Sequence, residues 1–442
     1  MSHVVGAGIF VVVSLLWGLR SGAAEQPEPP HPAMEAHVPI RAITAGPKAH
    51  WFAYYDKHQF DPTDRYVLGM EVGFENRSPA PDDAIILGMV DLEDDDRWIP
   101  FAESTAWCWQ QGCMLQWLPG SESEVIYNAR AADRYVSVIQ NVFTGAKRTL
   151  PRPVYAVSPD GRTAVGLNFA RVARTRPGYG YNGFADPFED RLHPEEDGIY
   201  ILDLATGESR LIVTLDRIAR FRPDDTVDKG KHWFNHLLFN TDGSRFIFLH
   251  RWHREGTTAS WYTRGFTARP NGEDLFCFNG HGMVSHFIWR DAKHLLAWST
   301  EPESGNRFHL YEDRTEHVEV VGEGVLTQDG HCTYSPDGQW IVTDTYPDKD
   351  RMQTLMLFRP SDGRLVPLGR FYQARPEQNE WRCDLHPRWS RSGMYICIDS
   401  KWSGQRQLYL LDVRGIVGGS DVAQVSEIVG VSPEDQRHVL AQ

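Results

Sequence analysis

The chain has 442 residues, is 41% hydrophobic and carries a formal net charge of -14 at neutral pH. That balance favours solubility and excludes a nucleic-acid-binding role, because phosphate backbones call for clustered Lys and Arg. Six cysteines (108, 113, 277, 332, 383 and 397) are too few for a disulfide framework at this length, and none falls in zinc-ribbon or redox spacing.

The first element is an apolar run from Val4 to Leu19, followed by Ser21-Gly22-Ala23-Ala24. Small residues at Gly22 and Ala24 fit a secretory cleavage site after Ala24, and the run falls short of the roughly 20 apolar residues of a membrane span. A signal peptide over 1–24 is therefore expected, giving a secreted or periplasmic protein with no membrane span after cleavage. Pro27, Pro29, Pro30 and Pro32 stiffen a leader over 25–49, with order expected to begin near His50.

The chain beyond this leader is too long for one core, since single cores stop growing near about 250–300 residues, whereas radially repeated units escape that limit. A repeat is present. In Tyr334-Ser335-Pro336-Asp337-Gly338 an apolar residue precedes an Asp-Gly turn, and a strand-like run from Trp340 to Thr343 comes next. Related copies are anchored at Phe60, Trp117, Val157, Phe239, Trp289, Tyr334 and Trp389, spaced 57, 40, 82, 50, 45 and 55 residues apart. Most gaps match the roughly 40–50 residues of a four-stranded blade. The chain therefore reads as all-β, a seven-bladed β-propeller over 50–415, with a C-terminal tail over 416–442. The longest gap holds Arg171 to Pro194, a Gly-, Tyr- and Arg-rich stretch read as a loop inserted in one blade.

Three residues before four consecutive anchors stands a histidine: His236, His286, His331 and His386. The first three blades carry Lys57, Met114 and Val154 there. The innermost strands of a propeller line its channel, so residues that open them gather at one mouth. Asp384 shares a strand side with His386. Each histidine alone is most simply a buried ring bonded to a backbone carbonyl. Converging neutral imidazoles with a carboxylate instead suit a divalent transition metal or zinc. Arg171, Arg174, Arg176, Tyr179 and Tyr181 in the inserted loop, and Arg217, Arg220, Arg222, Lys229 and Lys231 beyond it, offer guanidinium forks for carboxylates and rings for sugar faces. Arg251 and Gln111 are further candidates to contact a ligand.

Asn235-His236-Leu237-Leu238-Phe239 with His250, Met283-Val284-Ser285-His286-Phe287-Ile288-Trp289, and Asp384-Leu385-His386-Pro387-Arg388-Trp389-Ser390 carry a resemblance to the oligogalacturonate lyases. The resemblance covers most of His236 to Val413. It implies His236 as catalytic base with His250 in reserve, His286 as the first metal ligand, and His386 as the second histidine of a His-x-His pair. Asp384 replaces the other histidine, and Trp381 stands where the family has a glutamine three residues before the pair. Gln328 and His331, from the neighbouring blade, then complete the shell.

The expected activity is metal-assisted β-elimination of a uronic-acid-containing oligosaccharide or polysaccharide, with Arg176 or Arg220 clamping the carboxylate. Arg171, Arg174, Tyr179, Tyr181, Gln111 and Arg251 are expected to bind the rest of the glycan. The metal is divalent: manganese first, zinc or calcium as alternatives. Two other classes remain open: a propeller glycoside hydrolase using two of Asp344, Asp384 and Asp399, and a non-catalytic glycan-binding propeller. The oligomeric state is not specified.

Overall fold

Each copy of the repeated motif is a tight turn joining the two inner strands of an antiparallel sheet. At Ser335–Gly338 the glycine N–H donates to the Ser335 carbonyl (2.8 Å) and the Ser335 hydroxyl accepts from Trp340 N (3.0 Å). Gly338 has φ +70°, and Gly161, Gly243 and Gly393 repeat that conformation at +69°, +73° and +74°. Glycine enters this left-handed region without steric cost. In the first blade Asp64 takes the position at φ 63°.

Gly161 also abuts the neighbouring blade: a Cβ there would lie 2.2 Å from the Pro119 carbonyl oxygen, whereas one at Gly338 would meet nothing within 4 Å. Gly161→Ala is expected to cost about 3 kcal/mol or more and Gly338→Ala about 1 kcal/mol. Urea unfolding of the two variants checks this, and equal shifts would contradict it.

The computed structural model describes residues 34–418, apart from 53 and 375–379. Their strands form seven antiparallel sheets, five of them a sequential run from an inner to an outer strand and two completed by an N-terminal strand, arranged as a seven-bladed β-propeller. Blade four, for example, comprises His232–Phe239, Phe246–His253, Trp261–Ala268 and Phe276–Gly282. The 82-residue gap does hold an insertion, between the second and third strands of blade three. It begins with a short helix, Phe169–Thr175, capped by the Asn168 side chain accepting from Arg171 N.

The ring is closed by the N-terminal segment. Ile40–Ala42 pairs with Leu411–Tyr409 as the outer strand of blade seven, and Met34–Ala36 adds a fifth strand to blade six against Phe371–Gly369. The stretch expected to be a leader before His50 is thus, from residue 34 onward, part of two sheets. Backbone pairing outweighs the proline content upstream of it. The expected signal peptide lies outside the described residues, as does the tail beyond Gly418. Among the described residues no helix is long and apolar enough to cross a membrane, and all six cysteines are free thiols.

Candidate active site

The innermost strands are interrupted at one level. In blade four the ladder pairs Asn235 with Leu249 and resumes at Leu238 with Ile247. In blade five it pairs Val284 with Ser299 and resumes at Phe287 with Ala297. His236 and His286 occupy these breaks. Such a bulge releases residues from the ladder and re-aims their side chains. The backbone records this: His236 (φ 51°), His386 (φ 44°) and Met114 (φ 58°), all at the register position, are left-handed. For residues other than glycine that conformation costs on the order of 1–3 kcal/mol each. The histidines were expected to open their strands at the mouth. His236 instead stands well inside the strand His232–Phe239, and the four rings lie recessed, only 6%, 4%, 1% and 3% exposed in chain order.

The rings converge. His286 and His331 have centroids 4.1 Å apart, and His331 and His386 4.3 Å. The Tyr54 ring stands between the two ends of the arc, 5.2 Å from His236 and 4.9 Å from His386.

Within the arc, His331, Asp384 and His386 place one ligand atom each within 4.8 Å of one another. His331 Nε2, His386 Nε2 and Asp384 Oδ1 are also buried with no hydrogen-bond partner. Three orphaned acceptor-capable atoms of the right types, on three residues whose ligand atoms come this close, fit a divalent cation, since unpaired buried polar groups are otherwise costly. The local field agrees. Burial alone would lower the His331 pKa, but the carboxylates of Asp344, Asp384 and Asp329 outweigh it and raise it, so this pocket favours positive charge. His286 adjoins the trio, its Nδ1 2.8 Å from Asp329. Gln328, expected in the shell, is an exposed loop residue. Its neighbour Asp329 makes the inward contact instead.

At the other end, burial and then the positive charges of Arg251, His286, Arg176 and Lys57 hold His236 well below the usual imidazole range, as the neutral ring. Gln111 Nε2 and the Tyr155 hydroxyl each lie 3.4 Å from its Nδ1. Arg176 lies over the rings of Tyr179 (4.8 Å) and Trp261 (4.4 Å), and Arg251 lies 5.8 Å from Trp261. Neither arginine has a carboxylate partner among the described residues. Tyr179 packs edge-on to His236 at 5.7 Å and its hydroxyl accepts from Arg382 (3.0 Å), which also pairs with Asp384 (2.8 Å).

Other expected residues lie elsewhere. Arg171 is buried, with its donors engaged by Asp186 and the carbonyls of His232, Phe188, Arg191 and Leu192. It braces the insertion and has no donor left for a ligand. Arg174 faces solvent on the insertion helix. Arg220 is 69% exposed and pairs with Asp216. Tyr181 stacks on Phe169 at 4.2 Å and its hydroxyl accepts from Asn128. His250 has both nitrogens occupied, by His232 (2.8 Å) and Arg264 (3.2 Å), which removes it as reserve base. Composition put these residues in the insertion or near His236, but nothing local specified where their side chains point. Sequence reasoning missed Asp329 and the three tyrosines 54, 55 and 155, the Tyr55 ring lying 5.3 Å from His331 and 5.9 Å from His286. Asp329 carried a signal: it lies two residues before His331.

The buried neutral imidazoles make stability pH-dependent. Burial, above all, lowers His232 to about 3 and His236, His250 and His386 well below the ordinary value. Unfolded histidines take up protons near about pH 6.5. Below that pH the unfolded state binds more protons, so stability is complete above it and falls as pH drops towards 3, by about 1.4 kcal/mol per pH unit for each such ring. His331, raised, acts in the opposite sense, one ring against these four and others lowered by burial, among them His58, to about 3, and His286. Thermal midpoints of metal-free protein should therefore drop steeply between pH 6.5 and 4; a flat profile would contradict the buried neutral assignment.

No protein-family model matches this chain, and no curated protein matches it. Among solved structures it is similar to oligogalacturonate lyase from Vibrio parahaemolyticus, with 15% identity and a TM-score of 0.61 over 86% of this chain and 96% of that one. It is equally similar to an oligogalacturonate lyase in complex with manganese, with 15% identity and a TM-score of 0.61 over 85% and 93% of the two chains. TolB from Acinetobacter baumannii matches more loosely, with 15% identity and a TM-score of 0.38 over 73% of this chain and 63% of that one. At this identity the likeness is one of architecture: the chain is a divergent seven-bladed propeller with the fold of the oligogalacturonate lyases.

Proposed function

We propose that the protein is a secreted lyase that cleaves a uronic-acid-containing glycan by β-elimination. One observation carries this reading: a recessed imidazole, His236, feels the charges of two arginines that lack a carboxylate partner and is linked through the Tyr54 ring to a three-ligand cation cradle.

The reaction removes the proton α to the sugar carboxylate, forms a carbon–carbon double bond and expels the glycosidic oxygen. The carbon acid is weak because the carboxylate charge opposes a second negative charge. Arg176 and Arg251 offset that charge by binding the carboxylate through fixed N–H donors, in a site sheltered from water. A divalent ion held by His331, Asp384 and His386 would supply Lewis-acid stabilisation at the same carboxylate; manganese is the first candidate, given the manganese complex of a protein with this fold. His236 takes the proton. To act as base through Nε2 it needs the tautomer with hydrogen on Nδ1, which leaves the Nε2 lone pair for the substrate proton. The Tyr54 ring, stacked on His236 at an interplanar angle of 22°, fixes the imidazole plane.

The hydrolase reading needs two available carboxylates, and of its three candidates only Asp384 keeps an oxygen without a hydrogen-bond partner. Asp399 is engaged by Arg388 (2.7 Å), Asp344 by His331 and Asp384 by Arg382. Incubation with uronate oligomers is expected to give rising ultraviolet absorbance from the new double bond. Reducing ends without that absorbance would mean hydrolysis, and no product from any uronate oligomer would mean a binding module.

A further inference from the structure

Asp344 ends the second strand of blade six, Ile341–Asp344, and is 2% exposed. Its Oδ1 accepts from the His331 backbone N–H at 2.7 Å and lies 2.9 Å from His331 Nδ1. Its Oδ2 lies 3.0 Å from the same Nδ1 and accepts from the His386 backbone N–H at 3.2 Å. One carboxylate thus joins the ring and backbone of His331 in blade six to the backbone of His386 in blade seven. No arginine or lysine pairs with it among the described residues.

An ionised carboxylate can only accept, so Nδ1 of His331 must carry the hydrogen. The lone pair then falls on Nε2, which is buried without a hydrogen-bond partner, and His331 belongs to the trio that places one ligand atom each within 4.8 Å of one another. We propose that Asp344 is the positioning residue of the cation cradle: it fixes the ligating tautomer of His331 and sets the spacing of His331 and His386 across the blade boundary. The proposal rests on the cradle reading above and adds a residue that does not itself touch the ion.

Asp344→Asn tests it with nearly unchanged volume. The amide keeps one acceptor and presents an NH2 where the carboxylate accepted. Nδ1 then faces both an acceptor and a donor, so its hydrogen is no longer enforced, and the tautomer with hydrogen on Nε2, which cannot ligate through that atom, becomes populated. Manganese titrated calorimetrically into metal-free protein, at a temperature where both proteins are folded because one backbone N–H of the variant loses its acceptor, is expected to bind the variant roughly 10–100-fold more weakly than the wild type. Asp344→Glu keeps an acceptor-only group and should bind between the two. Equal affinities for wild type and Asp344→Asn, or a Glu variant weaker than the Asn variant, would overturn the proposal. If wild type itself binds no manganese, the cradle reading fails instead. Nitrogen NMR of 15N-histidine-labelled wild type at alkaline pH gives a readout without any variant: His331 should carry hydrogen on Nδ1, and finding it on Nε2 would overturn the proposal as well.

Discussion

His236→Asn is expected to lower the rate of unsaturated-product formation by roughly 10²–10⁴-fold while leaving the fold at least as stable as the wild type. The two halves of this expectation have separate causes. Removing the imidazole removes the group that takes the α proton, and nothing nearby replaces it: His250 is bonded on both nitrogens. The backbone at 236 is left-handed, at φ 51°, and Asn tolerates that conformation better than His. The native residue therefore carries strain that its replacement relieves, a cost consistent with a residue retained for chemistry. Steady-state kinetics on a cleaved uronate oligomer, with urea unfolding of both proteins, checks the pair. A variant with near wild-type turnover would remove His236 from the mechanism. One that lost activity only in proportion to lost stability would make it a structural ring.

The second large effect concerns the cradle. Chelation is expected to abolish turnover and lower the thermal midpoint, and added manganese should restore both. Filling the cradle satisfies three orphaned atoms and neutralises charge around Asp384, and a ligand at a hundred times its dissociation constant stabilises the fold by about 2.7 kcal/mol. His386→Asn, which suits φ 44°, should eliminate the manganese-dependent rise in midpoint without unfolding the blade. Activity indifferent to chelator would leave Arg176 and Arg251 as the sole charge stabilisers. A full manganese response in His386→Asn would move the ion elsewhere.

The blades were legible because their turn is a local event: an apolar anchor, an Asp-Gly or similar turn and a strand recur at spacings that only a radial repeat accommodates. The convergence of His236, His286, His331 and His386 followed from that same register. Closure was not legible, because Met34–Ala36 and Ile40–Ala42 are three residues each and pair with strands at the far end of the chain. Nor were the bulges, since a ladder break depends on the partner strand and not on the sequence of His236 or His286 alone. They release His236 and His286 from the ladder, and both residues are buried there. The arginines divided by a property invisible in composition. Arg171 turns inward to backbone carbonyls and Arg220 outward to Asp216, while Arg176 and Arg251 remain without a carboxylate partner beside aromatic rings. Asp344 was visible as a carboxylate, but its service to two histidines in different blades is a tertiary fact.

Elemental analysis of the purified protein, loaded with manganese and desalted, addresses the cradle most directly. Wild type should retain about one ion per chain and a His331→Ala/His386→Asn double variant close to none. Metal-free wild type, or a double variant that keeps its ion, would show that these imidazoles meet at the propeller axis for packing rather than for chemistry.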